Sequence, residues 1–190
     1  MIQNRRIFCL GAGAGVLALS GCVEGNRGLG SEAGVDGNVN EAIALMYARL
    51  PYTRELASQA RGILVMPGVY KGGFVVGAAY GEGALRVPGD GYSGSAAYYA
   101  FAGASVGWQA GVQKTAHALF FMADSALQKF NSSQNWEVGA DAEVTLLDTG
   151  VKADLNTTVA QKPVLAVVFN QAGLMAGASL EGAKYTRISI

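Results

Sequence analysis

The residues that could carry acid–base catalysis are few and widely separated. The chain has a single histidine, His117, so one molecule cannot build a metal site or a proton relay on two histidines. His117 stands in an apolar, strand-like run, which favours a buried structural role. Glu82, between Gly81 and Gly83, is the most unusual carboxylate, but no acid or base partner accompanies it in sequence. No catalytic residue and no cofactor are therefore predicted.

Asp148-Thr149-Gly150 matches the short motif of aspartic proteases, but its position favours a turn. Those enzymes need two carboxylates face to face, and this chain holds one copy. Apolar and polar residues alternate before it, over 137–146, and after it, over 151–158. Two alternating runs around a glycine-containing turn predict a β-hairpin with one solvated face.

Cys22 is the residue with the clearest chemical assignment. Arg5 and Arg6 are followed by an uncharged stretch, Ile7 to Leu19, and then by Ser20-Gly21-Cys22. A basic start, a short apolar middle and a small-residue cleavage site are typical of a secretory leader. The ending resembles the lipobox of bacterial lipoproteins, which implies cleavage before Cys22 and acylation of its thiol. The arginine pair also resembles a twin-arginine export signal, and the choice between the two export routes stays open.

Composition limits what the mature chain can do. Cys9 leaves with the leader and Cys22 is acylated, so no thiol remains for a disulfide or a thiolate metal site, and no metal site is expected. Removing Arg5 and Arg6 leaves 12 basic and 14 acidic residues, a net charge of −2. Nucleic-acid binders carry a basic excess or stripe, so a nucleic-acid partner is not expected.

The chain divides into three parts by composition. Residues 1–21 are the leader, and residues 22–39 form the anchor and a glycine-rich, flexible tether with five glycines after Cys22. Residues 40–190 form one domain. Its first helix is expected to start with Asn38 or Asn40 as the N-cap and to end near Pro51. A second helical piece is predicted over 53–61.

The rest of the domain is expected to be mainly β. Residues 63–66 and 163–169 are short apolar runs typical of buried strands, and 72–85 is too rich in glycine for a helix, at roughly 1 kcal/mol per glycine relative to alanine. Residues 93–112 also favour strand, with a small-residue helix as the alternative. A short helix is predicted over 124–130. The fold class is therefore α+β: a glycine-rich, mainly antiparallel sheet or barrel-like domain with a few covering helices.

Three segments together resemble the SYLF domain family, a lipid-binding module that regulates actin in eukaryotes. The first comprises Ala60–Pro67, Lys71–Phe74 and Gly81–Gly83. The second comprises Tyr98-Tyr99 and Gly107–Gln113. The third is Gly173–Gly182. In this order they cover most of residues 41–190, and bacterial members commonly follow a leader or lipobox.

The resemblance implies binding to anionic or phosphorylated lipid headgroups. Lysine and arginine near a membrane attract anionic lipid by about 1 kcal/mol each. The candidate contacts come from the matching segments or their flanks: Arg61, Lys71, Arg86, Lys114, Lys184 and Arg187. This chain has Ala116-His117 where family members often carry an acidic residue, and an acyl anchor replaces the membrane-inserting helix of eukaryotic members.

Three hypotheses follow for function. The first is a non-enzymatic envelope lipoprotein whose domain binds phospholipid. The second is a structural or protein-interaction module held at the membrane by its acyl chains alone. The third is a hydrolase, which requires Glu82, Asp124 and His117 to converge. Val23 after the anchor is not an acidic retention signal, so the outer membrane, facing the periplasm, is the expected location.

Overall fold

The computed structural model describes residues 28–190 except 29, 74–75, 91–93, 107–110, 148–161, 173–179 and 181. Within this part the helices are α1 (Glu32–Arg49), α2 (Thr53–Gln59) and α3 (Asp124–Ser132), and Pro88–Asp90 forms one 3-10 turn. The strands are β1 (Gly62–Gly73), β2 (Val76–Arg86), β3 (Ser95–Val106), β4 (Gly111–Phe121), β5 (Asn135–Glu137), β6 (Thr145–Leu147), β7 (Val164–Ala172) and β8 (Lys184–Ile188).

All eight strands belong to one sheet in the order β5-β8-β3-β2-β1-β4-β7-β6. Neighbouring strands pair antiparallel, except that β6 runs parallel to β7. The sheet curls enough for His117 on β4 to contact Tyr185 on β8, although three strands lie between them in the sheet. The expected α+β fold with a mainly antiparallel, barrel-like sheet is confirmed.

Strict alternation along the strands separates two cores. Along β4, Ala118 and Phe120 face the outer core beneath α1 and α2, whereas Leu119 and Phe121 face the inner core inside the curl. The inner core is rich in aromatic rings: Phe130 lies 4.7 Å from Phe121 and 5.3 Å from Trp136, measured between ring centroids. Where the helices cover the sheet, its strands are therefore buried on both faces, which explains apolar runs such as residues 63–66 and 118–121.

Helix α1 begins at Glu32, earlier than the sequence predicts. Ser31 is the N-cap, and its hydroxyl accepts a hydrogen bond from the amide of Gly34 at 3.3 Å. Val35 and Val39 are buried against the outer core. The expectation that residues 32–39 are flexible tether is wrong, because burial of the valines outweighs the helix cost of the glycines. The predicted end is confirmed, since α1 ends at Arg49, two residues before Pro51.

The predicted strand over residues 137–146 is interrupted. The chain leaves β5 at Glu137 and turns at Gly139, whose φ is 89°. The amide of Asp141 donates to the carbonyl of Glu137 at 2.9 Å, and β6 begins only at Thr145. β5 and β6 lie at opposite edges of the sheet. The second half of the predicted hairpin, 151–158, lies outside the described residues.

The small-residue segment 93–112 is strand rather than helix in its described part, where it supplies β3 and the start of β4. No helix among the described residues is long and apolar enough to cross a membrane. Cys22 and the leader lie outside these residues.

Candidate functional site

A cleft of about 480 Å³ separates α1 from the outer face of the sheet. Its floor is formed by β1, β2, β4 and the end of β7, and its roof by residues 34–45 of α1. The side chains that bring polar or aromatic chemistry to it are Asn38, Glu41, Tyr70, Tyr80, Glu82, Lys114, Phe169 and Asn170. Sequence reasoning singled out only Glu82 and Lys114 of this set.

A bulge in β1 shapes the floor of the cleft. The pairing of β1 shifts register between Val65 and Val69 toward β2 and between Met66 and Val69 toward β4, around Pro67-Gly68. Opposite this bulge, β2 carries Gly81 and Gly83. A Cβ on Gly83 would lie 2.0 Å from the carbonyl oxygen of Val65. The glycines on either side of Glu82 therefore let two backbones approach each other where side chains would keep them apart.

An exposed row of side chains crosses the outer face beside the cleft. Cross-strand pairing puts Lys184, Ala102, Tyr80, Tyr70 and Lys114 in line on five adjacent strands. Residues paired directly across strands project on the same face. All five side chains are exposed, including the large rings of Tyr70 (55%) and Tyr80 (42%). This set is called the tyrosine row below.

The two ends of the tyrosine row are basic. The ammonium of Lys114 lies 5.2 Å from the ring centroid of Tyr70, which is cation–π distance. At the other end, Lys184 forms an ion pair of 3.2 Å with Glu137. The row therefore combines amphipathic rings with cations at both ends.

Glu82 has partners that the sequence did not reveal. Its carboxylate accepts hydrogen bonds from the hydroxyl of Tyr80 at 2.5 Å and from the amide of Gly30 at 2.9 Å. Burial raises the pKa of Tyr80, and so do the hydrogen bond and the charge of Glu82. The hydroxyl therefore stays a neutral donor, and Glu82 is held at the cleft wall while it fastens the segment that leads into α1.

A second carboxylate holds α1 from the helix side. Asp36 accepts a hydrogen bond from the hydroxyl of Ser95 and lies 3.3 Å from the guanidinium of Arg86. Arg86 also donates to the amide oxygen of Asn40 at 3.0 Å and is fully buried. The expectation that Arg86 contacts lipid is wrong for this structure, because α1 covers it and its charge is used to fix the helix.

The remaining predicted cations do not form one patch. Arg61 precedes β1, at the end of that strand far from Tyr70, and lies 3.5 Å from Asp124. Lys71 projects on the inner side of β1, and Arg187 lies on the inner side of β8. Of the six candidates, only Lys114 lines the cleft, and Lys184 lies at the other end of the tyrosine row. Lipid contact by the five cations other than Arg86 stays a prediction, and the structure favours Lys114 and Lys184 over Arg61, Lys71 and Arg187 for it.

His117 lies on the other face of the sheet, in the inner core. It is buried, and its Nε2 shares a hydrogen bond of 2.8 Å with the hydroxyl of Tyr185. Glu82 is on the outer face, and Asp124 is exposed at the start of α3. The three groups do not converge, so the hydrolase hypothesis built on them is wrong. The interpretation of His117 as a satisfied structural residue is confirmed.

Acidification is expected to destabilise the domain through His117. Burial lowers the pKa of His117 from 6.5 to about 3, so between these pH values only the unfolded chain binds the proton. The stability that the folded protein gains by keeping His117 neutral is therefore fully present above pH 6.5, and it is lost as the pH falls toward 3. At pH 5 it amounts to about 2 kcal/mol relative to pH 7. Urea unfolding of wild type and His117→Gln at both pH values measures it. An identical pH dependence of the two proteins would contradict the prediction.

These features define a class of protein: an α+β domain whose curled antiparallel sheet presents an aromatic row beside a helix-covered cleft. Residues 102–188, from β3 to the end of β8, match the family model described as Ysc84, Las17-binding protein actin regulator. The match confirms the resemblance to the SYLF domain family over this part of the chain. It includes Ala102, Lys114 and Lys184 of the tyrosine row, whereas both tyrosines precede it. No curated protein matches the chain.

Proposed function

We propose that this chain is a lipid-anchored protein of the bacterial envelope whose domain binds phospholipid through the tyrosine row and the adjoining cleft. The observation that carries the proposal is the row itself: two exposed tyrosine rings side by side, with a lysine at each end. Tyrosine is enriched at membrane–water interfaces because its ring is apolar and its hydroxyl is hydrated. The SYLF resemblance supports the same assignment.

The affinity required of this surface is modest. Each lysine near an anionic membrane contributes about 1 kcal/mol, and the exposed rings add apolar area at about 25 cal/mol per Å². Acyl chains at Cys22 hold the domain close to the bilayer, which raises the effective concentration of lipid. A weak headgroup site can therefore be occupied. Under this proposal the protein resides at the outer membrane and faces the periplasm.

A second function is favoured by the family description, which names binding to another protein, Las17, and actin regulation. The corresponding proposal for this chain is a protein-interaction module of the envelope, with the same exposed tyrosines as the contact surface. Cross-linking in cells followed by recovery of one stoichiometric protein partner, together with no lipid binding, would support this function over the first.

The lipid-binding function is tested with the mature chain, residues 22–190, carrying Cys22→Ser, so that neither acyl chains nor the apolar leader can account for membrane binding. Co-sedimentation with vesicles of phosphatidylethanolamine and phosphatidylglycerol is expected to detect binding. Lys114→Ala should weaken it about fivefold through the lost charge. Tyr70→Ser should weaken it about tenfold, because the ring no longer enters the interface.

Arg61→Ala is the matched control, since it removes one exposed positive charge at the end of β1 far from the row. It should change vesicle binding less than twofold. Equal losses for Arg61→Ala and Lys114→Ala would point to unspecific charge attraction. Absence of binding to any phospholipid vesicle at low salt would overturn the proposal.

A further inference from the structure

The cleft is unusual for an anion site because negative charge predominates in its lining. Among the described residues that line it, Lys114 is the single cation, whereas Glu41 from α1 and Glu82 from β2 bring two carboxylates. A phosphate at Lys114 would be attracted by one charge and repelled by two within the same small volume. A ligand that also carries a positive group removes this conflict. The charges therefore favour a zwitterion over a simple anion.

We infer that the cleft takes the headgroup of a zwitterionic phospholipid, one that carries a phosphate and an ammonium group. This inference rests on the proposed function and names the chemical class of its ligand. The phosphate lies at Lys114, and the ammonium lies toward Glu41 and Glu82. The rings of Tyr70 and Tyr80 line the cleft between these charges, and aromatic faces attract an ammonium group.

The acidic end of the cleft is already organised before any ligand arrives. Glu82 is held by Tyr80 and by the amide of Gly30, so its carboxylate does not need to be ordered on binding. Among the described residues, Asn170 is the non-glycine residue whose backbone lies in the left-handed region, with φ 55°. It also lines this cleft. Asparagine adopts the left-handed region more readily than other non-glycine residues, so Asn170 lines the cleft at little backbone cost.

The source of the headgroup is a membrane lipid rather than a free metabolite. Tyr70, Tyr80 and Lys114 belong both to the cleft and to the exposed row, so a headgroup in the cleft leads directly onto the surface proposed to meet the bilayer. The acyl chains of the lipid can stay in the bilayer while the headgroup occupies the cleft. A soluble ligand would have no use for the exposed tyrosines.

The test is a calorimetric titration of the mature chain, residues 22–190, carrying Cys22→Ser, with short-chain lipids below their micelle concentration. The probes are phosphatidylethanolamine, phosphatidylglycerol with the same chains, and glycerophosphoethanolamine, which has no chains. Phosphatidylethanolamine is expected to bind at least tenfold more tightly than either of the others. In Glu41→Gln the affinity for phosphatidylethanolamine should fall about fivefold, because its ammonium group loses a carboxylate partner. The affinity for phosphatidylglycerol should rise, because one charge that repels its phosphate is gone.

Glu55→Gln is the control, since it removes an exposed carboxylate from α2 without touching the cleft. It should leave both affinities unchanged. Tighter binding of phosphatidylglycerol, or the same change for both lipids in Glu41→Gln, overturns the zwitterion inference and leaves the lipid-binding function standing. Equal affinity for glycerophosphoethanolamine overturns the membrane source. Absence of binding by any probe overturns the inference, and the proposed function fails only if vesicle binding is absent too.

Discussion

Replacing Gly83 with alanine is expected to lower the free energy of unfolding by about 3 kcal/mol, near the upper end of overpacking costs. The new Cβ would lie 2.0 Å from the carbonyl oxygen of Val65 and 2.6 Å from the sulfur of Met66. A flexible side chain such as Met66 could move aside. The backbone of Val65 cannot, because β1 pairs with β2 on one side and with β4 on the other. The strands must separate locally, and ladder hydrogen bonds beside the β1 bulge are lost.

Gly72→Ala provides the matched control within the same hairpin. Nothing lies within 4 Å of a Cβ at Gly72, and its φ is outside the left-handed region. This substitution should be neutral or stabilise by up to about 1 kcal/mol, since alanine loses less conformational freedom on folding. Urea unfolding followed by circular dichroism compares the two variants. If Gly83→Ala is as stable as Gly72→Ala, the close approach of β1 and β2 is not a constraint on this fold.

Asp36→Ala is expected to destabilise the domain by about 3 kcal/mol, because it leaves the charge of Arg86 buried without its carboxylate. The partners are unequal: Arg86 is 0% exposed, whereas the side chain of Asp36 is 35% exposed. Arg86→Met should therefore cost less than Asp36→Ala, since it removes the buried charge and leaves a carboxylate that water can reach. The double variant should recover most of the loss. This order of stabilities, measured by thermal and urea unfolding, distinguishes a buried ion pair from simple packing.

Asp124→Ala is the control, since the pair of Asp124 with Arg61 is exposed and such pairs contribute about 0–1 kcal/mol. A loss on Asp36→Ala no larger than this would contradict the role of Asp36. The same substitution bears on function, because Asp36 and Glu82 together hold the beginning of α1 over the cleft. Weaker lipid binding by Asp36→Ala with Lys114 intact would show that the helix must stay docked for the cleft to form.

Much of the sheet could be predicted from local sequence. The apolar runs at 63–66 and 163–169 lie in β1 and β7, and the glycine-rich segment 72–85 forms the end of β1 and nearly all of β2. Period-two patterns and glycine content report the local backbone state, and here the tertiary structure agrees with them. Tyr70 and Tyr80 each lie three positions from one glycine of the paired Gly73 and Gly77, so symmetry about this pair places the two rings side by side.

The wrong predictions share one cause: a pattern of neighbouring residues carries no information about contacts with residues far away in the chain. The alternation over 137–146 looks like one strand, but Gly139 turns the chain and sends β5 and β6 to opposite edges. Arg86 was expected to contact lipid because it flanks one of the segments that resemble the SYLF family. Asp36, fifty residues earlier, supplies the opposite charge that makes its burial tolerable.

The sequence by itself determined the α+β class, the strand-rich domain, the SYLF resemblance and the absence of a local catalytic motif, because composition, periodicity and motif spacing are properties of neighbouring residues. It also led to Cys22 as the expected anchor and to Lys114 and Lys184 as candidate contacts. Only the tertiary structure decided that α1 begins at Glu32, that Arg86 is buried, and that Glu41, Glu82 and Lys114 line one cleft. These outcomes depend on pairing between strands and on the docking of α1, and their free energies come from contacts between residues far apart in the chain.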